Sequence, residues 1–268
     1  MTRIITVANQ KGGVGKTTST VNIAAAIAQA GHRVLVIDMD PQGNASTALG
    51  VAHHEGTPSV YEVLSGELTL ADVIAECPDI PGLWAAPATI DLAGAEIELV
   101  AQVAREYRLR RAIDTLLAGQ DFDYVFLDCP PSLGLLTLNG LVAAREVLLP
   151  IQCEYYALEG LSQLLRTVDM VRTHLNPDLA VSAILLTMYD GRTRLASQVA
   201  DEVRTHFGAQ VLATVIPRSV RVSEAPSYGQ TVVTYDPTSS GALAYREAAA
   251  QVVEMASTVI STGLSTDI

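Results

Sequence analysis

The sequence predicts an α/β fold in which helices cover both faces of a mostly parallel, doubly wound sheet. Three observations predict it. Short apolar runs alternate with longer amphipathic stretches along the 268 residues, about half of the residues are apolar (49%), and only 5% are aromatic. Such alternation is typical of βαβ units, and a core of small aliphatic side chains suits strands that are buried on both faces. This length favours a single large domain over two.

The apolar runs give the positions of the elements. The predicted strands span 4–8, 34–37, 83–86, 124–127, 147–151, 181–186 and 211–216. The predicted helices span 17–30, 97–117, 158–174, 195–207 and 242–258. No tract rich in Pro, Gly or Ser interrupts the alternation as a linker would. We therefore expect one domain over residues 1–260 and a frayed tail over 261–268.

Composition restricts the classes of function. A formal net charge of −12 argues against a protein that coats nucleic acid in its resting state, although a local basic patch remains compatible with it. The sequence holds no apolar run of the ~18 residues that a membrane span needs. A strand predicted at the amino terminus leaves no room for a signal peptide. Three cysteines without a CxxC pair argue against a disulfide framework or a zinc site. These features predict a cytoplasmic protein without a membrane partner.

Residues 9–18 have the pattern of a phosphate-binding loop. The segment follows the first strand and opens the first helix, as a P-loop requires. Glycines let backbone N–H groups converge on phosphate oxygens, and the helix N-terminus favours an anion. We expect the Lys16 ammonium to reach the β- and γ-phosphates and the Thr17 hydroxyl to ligate Mg²⁺, so ATP and Mg²⁺ are the predicted cofactors. The residues predicted to bind the nucleotide here are Lys11, Gly12, Gly13, Val14, Gly15, Lys16, Thr17 and Thr18.

One departure from the ordinary pattern G-x-x-x-x-G-K-S/T is informative. Gln10 takes the place of the first glycine and Lys11 follows it, and Lys11 and Lys16 are the only lysines of the chain. This loop resembles the deviant Walker A motif of the ParA/MinD class of P-loop ATPases. The resemblance implies an ATP-dependent homodimer in which Lys11 reaches the phosphates of the nucleotide held by the second subunit. It thereby implies catalytic roles for Lys11 and Lys16.

Acidic residues follow the second predicted strand. Asp38 and Asp40 lie at its carboxyl end, the edge of an α/β sheet where ligands bind. Residues 38–44 are similar to the ParA-family motif D-x-D-P-Q-G-N. The similarity implies that Asp40 positions the hydrolytic water close to Mg²⁺, as a catalytic and metal-site residue, with Asp38 supporting it. The alternative interpretation is an ordinary N-cap Asp before a turn-forming Pro41.

The strand predicted at 124–127 is followed in the same way by Asp128. An apolar run that ends in Asp is common by itself. After a P-loop, and before Pro130 and Pro131 as in the ParA family, it resembles a Walker B element. The resemblance implies that Asp128 lies near Mg²⁺ through water and belongs to the nucleotide site. We interpret Cys129 as a small buried residue.

The carboxyl-terminal half of the sequence makes the family resemblance more specific. Residues 3–250 resemble the chromosomal ParA (Soj) family, with late matches at 158–161, 187–190 and 216–227. Members of that family bind double-stranded DNA without sequence preference as ATP dimers. They are released when a ParB-type centromere-binding partner stimulates hydrolysis. The resemblance therefore implies a weak, partner-stimulated ATP hydrolase that segregates chromosome or plasmid DNA and associates with the nucleoid.

Arginines are concentrated in this half of an otherwise acidic chain. Two subunits together could displace the counterions of DNA with them. The candidates for DNA contact are Arg192, Arg194, Arg218 and Arg221. Family position favours Arg192 and Arg221, and the resemblance also puts Pro217 and Arg218 beside the adenine. A solvated surface charge is the alternative for each. We interpret a second cluster as a solvated helix face: Arg105, Arg108, Arg110 and Arg111.

Several rival functions share this fold. A MinD-like membrane ATPase would carry a basic amphipathic carboxyl-terminal helix, yet Arg246 is the only basic residue of 246–268. An iron–sulfur ATPase would need paired cysteines. An ATP-dependent ligase would need a substrate pocket that the sequence does not identify. A nucleotide-gated scaffold, or a ParA/MinD-class ATPase that positions other cargo, remains a live alternative.

Overall fold

The computed structural model describes residues 1–154 and 157–261, with side chains described except at 157–160 and 256–261. Its centre is one eight-stranded sheet. The strands are β1 (Arg3–Val7), β2 (Val34–Asp38), β3 (Ala75–Glu76), β4 (Leu83–Ala86), β5 (Tyr124–Asp128), β6 (Glu146–Gln152), β7 (Ala180–Tyr189) and β8 (Val211–Pro217). All seven predicted strands are confirmed. The predicted frayed tail lies outside the described residues apart from Ser261.

The strands lie in the order β3-β4-β2-β5-β1-β6-β7-β8. Every pairing is parallel except that of β3 with β4. The predicted mostly parallel sheet is therefore confirmed, and β3 is the strand that the sequence missed. Its two residues are both exposed, so it lacks the apolar run by which the other strands are recognised.

Two hydrophobic clusters, one on each face, bury the sheet. Along β5, Val125 and Leu127 belong to one cluster, and Tyr124 and Phe126 belong to the other. This alternation follows from the two-residue period of a strand. The apolar runs of the strands are continuous because each face is covered by helices.

Helices surround the sheet on both faces. The α-helices of the described residues are α1 (Lys16–Gln29), α2 (Asn44–Ala48), α3 (Val60–Ser65), α4 (Leu70–Val73), α5 (Leu92–Leu99), α6 (Arg108–Leu117), α7 (Leu135–Ala143), α8 (Ala157–His174), α9 (Arg194–Phe207), α10 (Val220–Glu224), α11 (Val232–Tyr235) and α12 (Ser240–Ser261). The sequence predicted α1, α8, α9 and α12 closely. It missed α7, which is almost wholly buried and so lacks the polar face that marks an amphipathic helix.

The helix predicted over 97–117 is wrong as a single element. It is divided into α5, a 3₁₀ turn at Arg105–Tyr107 and α6. Ala104 has a φ of 53°, a left-handed conformation that a continuous right-handed helix does not contain. The Arg105 guanidinium donates to the Val100 carbonyl across the break, which satisfies a carbonyl at the end of α5.

The interpretation of the cluster 105–111 as a solvated face is also wrong at Arg108. Its guanidinium donates to the carbonyls of Leu64 and Ser65 at 2.7 and 3.0 Å. These are the last two residues of α3, whose terminal carbonyls have no partner within the helix. Arg108 therefore joins α6 to the end of α3, while Arg111 is exposed.

Parallel strands bring their carboxyl ends to one edge of the sheet. Val7 at the end of β1 lies opposite Asp128 of β5, and Asp38 of β2 lies on the other side of Asp128. The end of β6 adjoins β1 on its remaining side, followed by β7 and β8. None of the helices in the part of the chain that the structure describes combines the length and the hydropathy of a membrane span.

Candidate nucleotide-binding site

The loop between β1 and α1 forms an open cradle at this edge. Gly13 and Gly15 have φ angles of 74° and 86°, which glycine adopts at low cost. A Cβ added at Gly12 or Gly13 would meet no atom within 4 Å. Gly15 is the N-cap of α1 and offers no side chain to cap the first turn. The uncapped amide groups and the empty concavity fit a phosphate group.

Lys16 is the most buried charge of this loop. It is 7% exposed, and its ammonium donates to the Lys11 carbonyl at 3.2 Å. Burial lowers the pKa of Lys16, against the attraction of Asp128, Cys129 and Asp40. A phosphate group in the cradle would supply the anionic partner that this ammonium needs in a partly dry site.

Asp128 lies behind the cradle and joins β5 to α1. The Thr17 hydroxyl donates to one oxygen of Asp128 at 2.7 Å, and the Thr20 hydroxyl donates to the other at 2.9 Å. The predicted pair of Thr17 and Asp128 is thus brought together. Hydroxyl and carboxylate oxygens are the ligands that Mg²⁺ prefers, so the donor set fits a magnesium ion.

Asp38 fixes the backbone of the acidic loop after β2. One of its oxygens accepts from the backbone N–H of Asp40 at 3.1 Å. Its other oxygen accepts from the backbone N–H and the hydroxyl of Ser46, at 2.9 and 2.7 Å. Asp40 is 9% exposed and lines the cavity above the loop. This arrangement agrees with the supporting role expected of Asp38.

The two innermost carboxylates repel each other. Asp38 and Asp128 are paired in register on neighbouring strands and are at most 1% exposed. Burial and the neighbouring negative charges raise the pKa of both groups, while the hydrogen bonds from Ser46, Thr17 and Thr20 act in the opposite direction. Acidic groups gathered in this way favour a cation between them and the phosphates.

A cavity of about 750 Å³ opens over the loop. Its wall comes from the loop, α1, the segments after β2 and β5, and the end of β7. The cavity-lining residues that the sequence did not predict are Val21, Asn22, Gln42, Asn44, Thr47, Ala48, Pro131, Ser132, Met188, Pro226, Gln230 and Val232. Val21 and Asn22 lie on α1 just after the loop, and the others come from distant parts of the chain that the topology brings together.

Several predicted site residues do not line this cavity. Val14 is buried beneath the loop, and Asp128 is buried behind Thr17. Pro217 is the last residue of β8 and is half-buried, and Arg218 follows it and is exposed. The Lys11 side chain extends out of the cavity. Its ammonium lies 2.7 Å from a carboxylate oxygen of Glu154.

Two further side chains organise the site without touching the cavity. Thr20 bridges Asp128 and the Lys16 carbonyl. The Thr187 hydroxyl, on β7, donates to the Val14 carbonyl at 2.8 Å and so holds the loop from the opposite side of β6. Thr20 lies one helical turn after Lys16, a spacing that could have indicated it. Thr187 begins the family match at 187–190, but no local spacing indicates its contact with the loop, because 173 residues separate it from its partner.

The candidate DNA-contacting arginines share the β7–β8 end of the same edge, where Tyr189 lies opposite Pro217. We call these four residues the arginine edge: Arg192, Arg194, Arg218 and Arg221. Arg192 makes two 2.8 Å hydrogen bonds to Asp190. These bonds lower the pKa of Asp190 to about 2. Arg221 is paired with Glu224 at 3.1 Å and with Asp236 at 3.4 Å.

Comparisons with known proteins identify the family to which this chain belongs. A family model described as an AAA domain matches residues 2–181. The chain is 52% identical over 252 residues to the sporulation initiation inhibitor protein Soj of Bacillus subtilis, covering 94% of this chain and 98% of that protein. It is 50% identical over 251 residues to the chromosome partitioning protein ParA of Caulobacter vibrioides, covering 94% of each. This chain belongs to the ParA/Soj family of chromosome-partitioning ATPases.

A solved structure supports the family assignment at the level of the fold. The ParA/Soj chain described here is 42% identical to a Mycobacterium smegmatis protein described as cobyrinic acid a,c-diamide synthase, with a TM-score of 0.82. The match covers 98% of this chain and 97% of that one. That structure holds ADP and magnesium. The predicted single-domain P-loop fold is confirmed, and the predicted cofactors are of the kind bound in that neighbour.

Proposed function

We propose that this protein is a DNA-partitioning ATPase that dimerises on ATP and binds double-stranded DNA without sequence preference. The position of Lys11 carries the proposal. Its ammonium lies beside the phosphate loop but outside the cavity of its own subunit, next to Glu154. Lys16 already lies within that cavity. Lys11 is therefore available to a nucleotide held by another copy of the chain.

Each residue of the nucleotide site has a role in this proposal. The amide groups of residues 12–18 and the Lys16 ammonium bind the phosphates. Thr17 and Asp128, whose side chains are joined at 2.7 Å, would hold Mg²⁺ beside the phosphates. Mg²⁺ supplies charge neutralisation on the phosphate oxygens when it is bound. Asp40 orients the attacking water, on a loop whose backbone Asp38 fixes.

The arginine edge is the proposed DNA-contacting surface. Net charge opposes DNA binding by a single subunit, because each chain carries a formal −12. A dimer doubles the number of arginines that one DNA segment can contact, and affinity rises steeply with the number of phosphates neutralised. ATP-driven dimerisation would thereby switch DNA binding on, and a ParB-type partner that stimulates hydrolysis would switch it off. The protein would then be cytoplasmic and associated with the nucleoid.

The alternative is a related ParA/MinD-class ATPase that positions other cargo or serves as a scaffold and does not act on DNA. The name of the Mycobacterium smegmatis neighbour also suggests an ATP-dependent synthase. We favour partition because the Soj and ParA relatives are more similar to this chain in sequence, at 52% and 50% against 42% identity.

Binding to duplex DNA of scrambled sequence tests the proposal. We would compare ATP, ADP and no nucleotide in the wild type, Lys16→Ala, Asp40→Ala and Arg221→Ala. We expect binding with ATP only, loss of binding in Lys16→Ala, and a longer-lived complex in Asp40→Ala. Arg221→Ala should weaken binding and reduce the slope of log affinity against log salt by about two, one contact from each subunit.

Two results would contradict the proposal in different ways. ATP-driven dimerisation without DNA binding in any nucleotide state would favour the cargo or scaffold alternative. DNA binding that does not depend on nucleotide would disconnect the arginine edge from the ATP site. The partner is tested separately. Addition of a basic amino-terminal ParB peptide together with DNA should raise the ATPase rate, and an unchanged rate would exclude partner-stimulated release.

A further inference from the structure

Glu154 makes a contact with the P-loop that the proposed ATPase reaction does not use. One of its carboxylate oxygens lies 2.7 Å from the Lys11 ammonium. The other accepts a hydrogen bond from the Gln152 side chain. Gln152 is the last residue of β6, which pairs with β1. The sheet therefore brings this carboxylate to the level of the loop that follows β1.

The loop backbone is attached to β6 without the help of Glu154. The Asn9 side chain donates to the Pro150 carbonyl at 2.8 Å in a buried contact. It also accepts from the backbone N–H of Lys11 at 3.0 Å. Loss of the Glu154 carboxylate would leave these bonds in place. The carboxylate thus holds the Lys11 ammonium specifically, rather than the loop as a whole.

The strength of this ion pair suits a contact that has to open. The side chains of Lys11 and Glu154 are 39% and 45% exposed. Exposed pairs of this kind shift an equilibrium by about 1.5- to fivefold, because water screens them. A buried pair would hold the lysine far more strongly. In the proposed dimer, the Lys11 ammonium would exchange Glu154 for a phosphate of the second subunit, so this ion pair would have to open.

We propose that Glu154 is a positioning residue that holds Lys11 on its own subunit until a second, ATP-loaded copy offers its phosphates in exchange. This rests on the ATP-dependent dimer of the proposed function. Charge exchange is the basis of the step, since the ammonium passes from one anionic partner to another and no covalent bond changes. Glu154 thereby weakens the ATP-dependent dimer by the free energy needed to open one ion pair in each subunit.

Acylation of Lys11 tests the contact in the nucleotide-free protein. With only two lysines in the chain, acetyl N-hydroxysuccinimide ester and peptide mass spectrometry report on Lys11 directly. Lys16, at 7% exposed, is the internal reference. Glu154→Gln should raise the acylation rate of Lys11 by about 1.5- to fivefold and leave that of Lys16 unchanged. The matched control is Asp169→Asn, which removes the same charge from another exposed pair, with Arg172.

Dimerisation is the second readout, measured with ATP in an Asp40→Ala background that stalls hydrolysis. Two pairs open per dimer, so Glu154→Gln should lower the dimer dissociation constant by about two- to thirtyfold. Combined with Lys11→Gln it should have no further effect. A weaker or unchanged dimer in Glu154→Gln, or unchanged Lys11 acylation, would overturn the role of Glu154 alone. Absence of any ATP-dependent dimer would overturn the proposed function, and this proposal with it.

Discussion

Two polar regions at the carboxyl edge of the sheet are built in opposite ways. In the nucleotide site, Lys16 is 7% exposed and Asp128 is fully buried, and both oxygens of Asp128 accept hydrogen bonds. On the arginine edge, the side chains of Arg192 and Arg221 are 88% and 55% exposed. The first region holds its side chains in fixed positions, whereas the second contributes positive charge.

The difference predicts how each region responds to substitution. A buried polar atom that loses its partner costs about 1–3 kcal/mol, because no water replaces the partner. An exposed ion pair is worth about 0–1 kcal/mol and is screened by salt. Single changes in the nucleotide site should therefore be large and insensitive to salt. Single changes on the arginine edge should be small, additive and sensitive to salt.

The largest effect is expected from Asp128→Asn. The amide has nearly the same shape but removes the negative charge from the proposed magnesium site. We expect turnover to fall by about a hundredfold or more. Because the amide offers one acceptor where the carboxylate offers two, while the repulsion with Asp38 is relieved, the free energy of unfolding should fall by about 1–3 kcal/mol at most. Steady-state ATP hydrolysis and chemical denaturation measure the two quantities.

An exposed acid provides the control for this substitution. Asp201→Asn removes the same charge from α9, where the side chain is 78% exposed, and it should change neither quantity. Retained turnover in Asp128→Asn would show that the carboxylate is dispensable. A large loss of stability together with turnover would show that Asp128 maintains the fold instead.

An intermediate effect is expected from Thr187→Val. The change keeps the shape and removes the donor to the buried Val14 carbonyl. We expect a loss of about 1–3 kcal/mol in the free energy of unfolding. Because part of that loss comes from a looser phosphate loop, affinity for ATP should also fall by about three- to tenfold. Denaturation and nucleotide titration test the two effects.

Thr6→Val is the matched control for Thr187→Val. Its hydroxyl donates to the Gly140 carbonyl at 2.8 Å, is equally buried, and joins β1 to α7 away from the cavity. It should cost similar stability and leave ATP affinity unchanged. Equal losses of affinity in both variants would mean that general stability, and not the loop contact, governs binding.

The same two regions show what a sequence can reveal. The phosphate loop and the acids that end β2 and β5 were predictable, because each is a local pattern after an apolar run. The contacts of Thr187 and Glu154 were not, because their partners are distant in the chain and are brought together by strand order. The sequence predicts β6 but not its position beside β1. It therefore does not indicate that Glu154, which follows β6, lies near the loop that follows β1.

Other features that the sequence did not reveal also have physical causes. The break at Ala104 depends on a left-handed backbone that no glycine announces. Arg108 looked like a solvated charge because its carbonyl partners belong to α3, over forty residues away. The sequence indicated the arginine edge, because its four arginines lie close together in the chain. It did not indicate that Arg221 pairs with Asp236.

The smallest effect is expected from Asp190→Asn. Asp190 neutralises Arg192 through two hydrogen bonds. Because those bonds hold the pKa of Asp190 at about 2, the pair stays ionised at neutral pH, and a substitution tests it better than a change of pH. We expect the ATP form to bind scrambled duplex DNA about two- to fivefold more tightly, since one more charge per subunit is available to phosphate.

Titration of DNA at several salt concentrations would measure this change, with Asp169→Asn as the control. That control removes the same charge from a pair on α8 and should alter binding less. Tighter binding that fades as salt rises would support an edge that contributes charge alone. Weaker binding in Asp190→Asn would contradict this difference between the two regions. It would mean that Asp190 orients Arg192 for a phosphate, so that the arginine edge, like the nucleotide site, depends on a fixed geometry.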